Sequence, residues 1–421
     1  MPASSVREGA LPWILRKEGY DVVAMGSFTH SPLMRRLAQR MRILAWRGRT
    51  VVVYAALGCA FIVGAVLVVY SVLALFPSRS EVGFVASVLL AAVAPFFVLA
   101  ALIGLGVTMA EHRMKVARLA AMLLVIGMIL PLAVCVITPL DVAHAGGSAN
   151  PVRALRVFSM ESAPDFEGPT GKNGQTVQVY RPHSGSVRGL LVDIHGGGWQ
   201  EDSTMPAVLR SFADAGWVVV RPSYPLASAH RATWKDAPEA VECGYAWAQQ
   251  HAGDFGTDAE NTVLIGDSAG GELAINLAYR IASGEAAHAC GSVIPPKAVI
   301  GLYPAVSLSA LADISALGIQ KAAWQYLGGT PADVPDRYRS ADSITWISPD
   351  APSTYILRGA SDTLVPPAST AAFVAAAQSA GVHVTDVVLP LLNHAFDSTV
   401  AGSLGYQATV SIVEHWLNTI R

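Results

Sequence analysis

The chain of 421 residues is 52% hydrophobic and only 14% charged, with a mean hydropathy of +0.42 and a formal net charge of −2. Soluble domains carry roughly 25% charged residues, so part of this sequence is expected outside water. The near-neutral balance gives no reason to expect a nucleic-acid partner, and the length admits more than one structural unit.

Residues 1–31 show no clear period. A basic segment follows, with Arg35, Arg36, Arg40, Arg42, Arg47 and Arg49 interleaved with Leu37, Met41, Leu44 and Trp46. It reads as the basic flank of a membrane span, or alternatively as an amphipathic helix on the inner leaflet. Three stretches then run without a charge: Val51 to Phe76, Val82 to Ala110 and Leu119 to Leu140. A bilayer needs about 20 apolar residues as a helix, and a buried core helix of this length would show a polar face. Pro95 and Pro131 lie inside the second and third stretches, where packing neighbours make them tolerable. A cleaved signal peptide is a poor reading, because the first apolar run begins about fifty residues in and two more follow.

The loops set the orientation. Arg113, Lys115 and Arg118 separate the second and third spans, while the first hairpin loop, Pro77 to Glu81, holds one Arg and one Glu. An excess of Lys and Arg marks the cytoplasmic side, which puts the N-terminus and the second loop inside and everything after Asp141 outside. The spans carry no internal charge of the kind that lines ion pathways and read as an anchor. Gly58 and Gly64 offer positions for self-association, with the oligomeric state left open.

Of the four cysteines, Cys59 and Cys135 fall within spans as small apolar residues. Cys243 and Cys290 fall in the outer part, where a disulfide can persist; two cysteines are too few to imply a framework. No C-x-x-C or H-E-x-x-H spacing points to a metal, and no cofactor is implied.

Ala143 to Asn150 is small and polar, a linker off the membrane. Beyond it short apolar runs alternate with longer helical stretches. Expected strands are Thr176–Tyr180, Leu190–Ile194, Val218–Arg221, Thr262–Ile265, Ala298–Leu302, Thr354–Leu357 and Thr385–Leu389, with helices such as Ala237 to His251 and Ser369 to Ala380. That alternation predicts an α/β fold with a mostly parallel sheet covered on both faces.

Gly266-Asp267-Ser268-Ala269-Gly270-Gly271 joins the run Asn261–Ile265, which reads as a strand, to Glu272–Arg280, which reads as a helix. A serine between small residues at a strand-to-helix turn is the setting of an exposed nucleophile, and the flanking glycines leave room where a Cβ would collide. Acyl transfer through serine also needs a base, an acid to orient it and donors for the oxyanion. His394, after the last expected strand, is the candidate base. Asp362, past the strand Thr354–Leu357, is the candidate acid, with Asp397 and Asp386 as rivals. The oxyanion donors would be the backbone N–H of Ala269 and the loop His195-Gly196-Gly197-Gly198-Trp199, whose glycines let main-chain amides approach a substrate oxygen.

These two motifs together resemble the hormone-sensitive-lipase-like esterases of the α/β-hydrolase superfamily, over roughly Thr176 to the C-terminus. The Trp-ended glycine loop is also similar to that of kynurenine formamidases and related bacterial esterases. Arg221-Pro222-Ser223-Tyr224-Pro225-Leu226 lies near the family's Tyr-Arg-Leu string but lacks its arginine. The resemblance implies an α/β-hydrolase fold, with Ser268, Asp362 and His394 as triad and Gly196, Gly197, Gly198 and Ala269 around the oxyanion. It also implies a cap formed by Val152–Asn173 and Val306–Ile347. Trp199 and Trp324 are the candidate substrate contacts, although the aromatic residues of the cap read equally as core. The expected organisation is a cytoplasmic segment 1–49, a transmembrane region 50–140 (spans 51–76, 82–110 and 119–140), a linker and possible cap segment 141–175, and a catalytic domain 176–421. The expected protein is a multi-pass cell-membrane serine carboxylesterase with its catalytic domain outside, cleaving short- to medium-chain acyl esters of a small-molecule or lipid substrate. The alternatives are an acyltransferase or deacetylase acting on envelope lipid or sugar esters with the same triad, and a non-catalytic binding protein on this scaffold.

Overall fold

Strands buried on both faces should read as unbroken apolar runs, and the runs beginning near residues 190, 218, 262 and 298 do. The computed structural model describes residues 32–77, 80–156, 163–170, 174–203, 205–314 and 316–420. It contains an eight-stranded sheet with strands β1 (Phe166–Pro169), β2 (Thr176–Tyr180), β3 (Gly189–Ile194), β4 (Trp217–Pro222), β5 (Thr262–Asp267), β6 (Ala298–Leu302), β7 (Ser353–Gly359) and β8 (Val384–Leu389). The order is β1-β2-β4-β3-β5-β6-β7-β8; β1 and β2 pair antiparallel and every neighbour from β4 to β8 is parallel.

Three long helices precede the sheet: α1 (Pro32–Leu75), α2 (Glu81–Ala110) and α3 (Lys115–His144). All three are long and apolar enough to cross a membrane. The basic segment from Arg35 to Arg49 is the first part of α1, continuous with the span and not a separate surface helix. The sheet is accompanied by α4 (Pro206–Asp214), α5 (Asp236–Gln250), α6 (Ser268–Ala282), α7 (Leu308–Leu311), α8 (Ile319–Leu327), α9 (Pro335–Ala341), α10 (Pro367–Ser379) and α11 (Leu404–Thr419). The chain divides into two compact units, Met1–Gly58 and Cys59–Arg421. Residues 1–31 of the expected cytoplasmic segment lie outside the described residues.

Side chains of a strand alternate between faces, and the core follows that rule. Leu190, Val192 and Ile194 of β3 share one core with Tyr245 of α5, Tyr279 of α6 and Phe373 of α10. Leu191 faces the other core, with Phe212 of α4 and Ile412 and Trp416 of α11. Leu90, Ala91 and Ala94 of α2 and Val134 and Val142 of α3 belong to this second core, so both helices are packed onto the sheet domain as well as onto each other. At Gly64 a Cβ would sit 2.9 Å from Leu123 Cβ, so the glycine lets α1 approach α3 within the chain. No such neighbour stands within 4 Å at Gly58.

One strand was not expected. β1 falls inside Val152–Asn173, so residues 166–169 extend the sheet edge beside β2 rather than forming cap; residues 157–162 and 171–173 of that segment lie outside the described residues. Its sequence, Phe166-Glu167-Gly168-Pro169, has no apolar run to announce it. Helix α4 is only nine residues long. Cys243 on α5 and Cys290 in the loop after α6 form a disulfide, with their Cα atoms 5.0 Å apart.

Candidate active site

The turn from β5 into α6 holds Ser268 at φ 52°, a left-handed conformation that a non-glycine residue adopts only under local constraint. The constraint is steric on both sides. A Cβ on Gly270 would collide with the backbone carbonyls of Ile194 and His195, and one on Gly266 with the carbonyl of Gly270. The turn therefore closes only with these glycines, and it leaves the Ser268 hydroxyl half-exposed at the C-terminal ends of the parallel strands.

The loops after β7 and β8 converge on it. His394 Nε2 lies 2.8 Å from Ser268 Oγ, and His394 Nδ1 lies 2.8 Å from Asp362 Oδ2. A carboxylate only accepts, so Nδ1 carries the proton and Nε2 is free to accept from the serine hydroxyl. The second oxygen of Asp362 accepts from the backbone N–H groups of Leu364 (2.9 Å) and Val365 (2.8 Å), a turn that fixes the carboxylate. The rival acids are engaged elsewhere. Asp397 accepts from the Tyr303 hydroxyl at 2.6 Å, and Asp386 holds Arg358 through two contacts of 2.9 and 2.8 Å.

Asn393 ties the two loops together. Its Oδ1 accepts from the N–H of Thr363 at 2.9 Å and from the N–H of His394 at 2.7 Å. Its Nδ2 donates to Ser87 Oγ of α2 at 2.5 Å. Tyr303 packs edge-on against the His394 ring with centroids 4.8 Å apart.

Across the cleft lies the glycine loop after β3. Gly197 and Gly198 have φ of 105° and 59°, and their N–H groups have no hydrogen-bond partner among the described residues. Gly196 is different: its N–H donates to Asp267 Oδ1 at 2.8 Å, so it braces the loop and is not available to an oxyanion. Burial and the Asp397 charge push Asp267 up to about 6. Tyr224, from the string that departs from the family pattern, donates to the His195 carbonyl at 2.9 Å and stacks on the His195 ring.

Trp199 is fully buried, with φ 61°, and takes no part in the cleft surface. Its ring stacks on Tyr326 at 4.8 Å and its Nε1 donates to Glu272 Oε2 at 3.0 Å. Trp324, on α8, packs partly buried against the first core and is not among the residues that border the cavity. Both tryptophans thus belong to the support of the site and not to its lining, a correction to the sequence reading. Beside Ser268 opens a cavity of about 520 Å³ bounded by Gly197, Gly198, Ser268 and His394, by Leu317, Ile319 and Ala322 of the segment after β6, and by Phe84 and Val88 of α2.

Glu272 gives a test of the loop's support. Its buried carboxyl accepts from Trp199 and, at 2.6 Å, from Asn276 Nδ2, yet burial pushes it up to about 8. The folded state then keeps a proton that the unfolded chain sheds near 4.5, so stability falls as pH rises between those values, by about 1.4 kcal/mol per unit. Glu272→Gln, which removes that titration, is expected to flatten the decline of thermal stability between pH 5 and 8. Asp193 and Asp267, pushed up to about 8 and about 6, contribute the same sign to both proteins and cancel in the comparison. Equal slopes would show that Glu272 is not held protonated.

The BD-FAE family model matches residues 177–377. The chain is 26% identical over 240 residues to Esterase LipQ of Mycobacterium tuberculosis, covering 55% of each chain. It is 27% identical over 292 residues to the probable carboxylic ester hydrolase LipM of the same organism, covering 65% of each. The chain thus spans only 55% and 65% of the length of these curated relatives. Among solved structures, the propionate-bound thermophilic esterase Est2 of Thermogutta terrifontis superposes with a TM-score of 0.50 at 23% identity, covering 59% of this chain and 91% of that one. With the parallel sheet order, the strand–turn–helix serine and these likenesses on the page, the part of the chain that carries the sheet has the α/β-hydrolase fold.

Proposed function

We propose that this chain is a membrane-anchored serine hydrolase that cleaves carboxylic esters of short to medium acyl length through an acyl-enzyme on Ser268. The observation that carries the reading is the relay of two 2.8 Å contacts from Ser268 through His394 to Asp362, opposite two glycine amides without a hydrogen-bond partner among the described residues. Ser268 Oγ attacks the ester carbonyl while its proton passes to His394 Nε2, and Asp362 stabilises the imidazolium. The developing oxyanion is met by the N–H groups of Gly197, Gly198 and Ala269. Collapse expels the alcohol, which takes the proton back from His394. Water then attacks the acyl-serine by the same route, releasing the acid and restoring the hydroxyl. We assign residues 50–140 to the anchor, 1–49 to the cytoplasm, 141–175 to a connecting segment and 176–421 to the catalytic domain outside a cell membrane. The arginines before α1 and between α2 and α3 support this orientation, and so does the Cys243–Cys290 disulfide, a bond that persists in oxidising compartments.

A fluorophosphonate probe tests this reading. Incubated with the detergent-solubilised full chain and mapped by mass spectrometry, it is expected to leave its adduct on the Ser268 peptide, and an impermeant version is expected to reach it in intact cells. No adduct, or an adduct on another serine, overturns the assignment; labelling that requires broken cells overturns the orientation.

A further inference from the structure

Helix α2 is longer than a membrane requires. Thirty residues at 1.5 Å each make about 45 Å, against a hydrocarbon thickness of about 30 Å. About ten residues therefore lie beyond the hydrocarbon, and the packing shows at which end. At the Glu81 end, Gly83, Ala86, Ser87, Leu90, Ala91 and Ala94 are buried, and three of them, Leu90, Ala91 and Ala94, belong to the sheet domain's second core. Toward the other end, Phe96, Leu99, Leu102, Ile103 and Met109 are exposed and apolar, as a lipid-facing surface requires. The Glu81 end of α2 and the His144 end of α3, from which the chain leads on to the sheet domain, are the same end of an antiparallel pair.

At that end α2 enters the candidate active site. Phe84 and Val88, one turn apart and so on one face, border the same cavity as Ser268 and His394. Ser87 between them donates to the Phe84 carbonyl at 2.8 Å and accepts from Asn393, the residue that joins the loops of Asp362 and His394. The apolar surface does not stop at the cavity. Val85 is exposed beside Val88, and Phe96, Leu99 and Ile103 are exposed on the same side farther along the helix, with buried Ala92 between them. Gln200, Glu201, Lys321 and Gln325 border the cavity as well and give it polar walls.

We infer that α2 is a wall of the substrate site and that the substrate is an amphiphilic ester resident in the bilayer, whose apolar chain lies along Phe84 and Val88 while its carbonyl meets Ser268. A water-soluble ester would have no use for a wall drawn from a helix apolar enough to cross a membrane. An amphiphile can reach that wall from the bilayer with less of its chain exposed to water. This inference rests on the ester-hydrolase reading above.

The test compares p-nitrophenyl decanoate with p-nitrophenyl acetate on the full chain in phosphatidylcholine vesicles. Wild type is expected to favour the decanoate in kcat/KM, and Val88→Trp, which fills the wall, to lower the decanoate-to-acetate ratio at least tenfold. Met109→Trp, at the far end of α2, is expected to leave the ratio as in wild type. Uptake of the fluorophosphonate probe shows that each variant keeps its serine site; should Val88→Trp fail to take it up, Phe84→Trp carries the same test. Retention of the wild-type ratio in a probe-reactive wall variant overturns the inference and leaves the hydrolase reading standing. Failure of wild type to cleave either ester or to take up the probe overturns both.

Discussion

Ser268→Ala is expected to lower kcat about 10⁶-fold and Asp362→Asn about 10⁴-fold, the scale of losses when a triad nucleophile or acid is replaced. The difference between them follows from the geometry. Alanine removes the attacking oxygen. Asparagine can keep its oxygen on the Leu364 and Val365 amides, where Asp362 Oδ1 now accepts, and then turns an NH₂ toward His394 Nδ1. That donor forces the proton to Nε2, and a protonated Nε2 cannot accept from the serine. Asp386→Asn and Asp397→Asn separate this account from a general effect of acidic residues near the cleft. Asp386 is spent on Arg358, and Asp397 on the Tyr303 hydroxyl, neither of them on a His394 nitrogen. Both are expected to fall far short of the Asp362→Asn loss in steady-state hydrolysis, normalised to active serine by probe titration. A loss at Asp397→Asn equal to that at Asp362→Asn would reassign the orienting acid.

What the sequence made legible was whatever is local in the chain. Buried parallel strands announce themselves as short β-branched runs, and the strand expected at Thr176–Tyr180 ends where it was read. The turn at Ser268 is legible for the same reason, since its glycines answer a steric demand within a few residues. The residues that support the site answer demands from distant parts of the chain, and these were hidden. Trp199 reads as an aromatic beside a substrate loop, but an indole N–H needs a partner when buried, and Glu272 supplies it from the helix beyond the serine. A glutamate in the otherwise apolar run Glu272-Leu273-Ala274-Ile275 was the available signal. Gly196 reads as a third oxyanion donor until Asp267 is seen to occupy its N–H. The role of α2 was the least legible, because hydropathy scores a side chain facing lipid and one facing a protein core alike. Phe84, Ser87 and Val88 differ from their neighbours only in what the fold sets against them.

Gly270→Ala is expected to abolish activity and to lower stability, although it adds a single methyl group. At most surface positions such a change is neutral or favourable, because glycine loses more backbone freedom on folding. Gly253, with nothing within 4 Å of its would-be Cβ, is such a position, and Gly253→Ala serves as the control. At Gly270 the methyl would meet the carbonyls of Ile194 and His195, which are backbone atoms at the end of β3 and cannot rotate away. Either β3 and the glycine loop retreat or the elbow opens. Overpacking of this kind costs about 1–3 kcal/mol. The activity loss is larger than that figure suggests, because both relaxations move Ser268 relative to Gly197, Gly198 and His394. A misplacement of about 1 Å in an assembled site costs on the order of 10²-fold. Thermal unfolding and probe uptake, measured together on the two variants, check the argument. A folded, probe-reactive Gly270→Ala protein with wild-type turnover would mean that the closeness of β3 to the elbow is not what holds the serine in place.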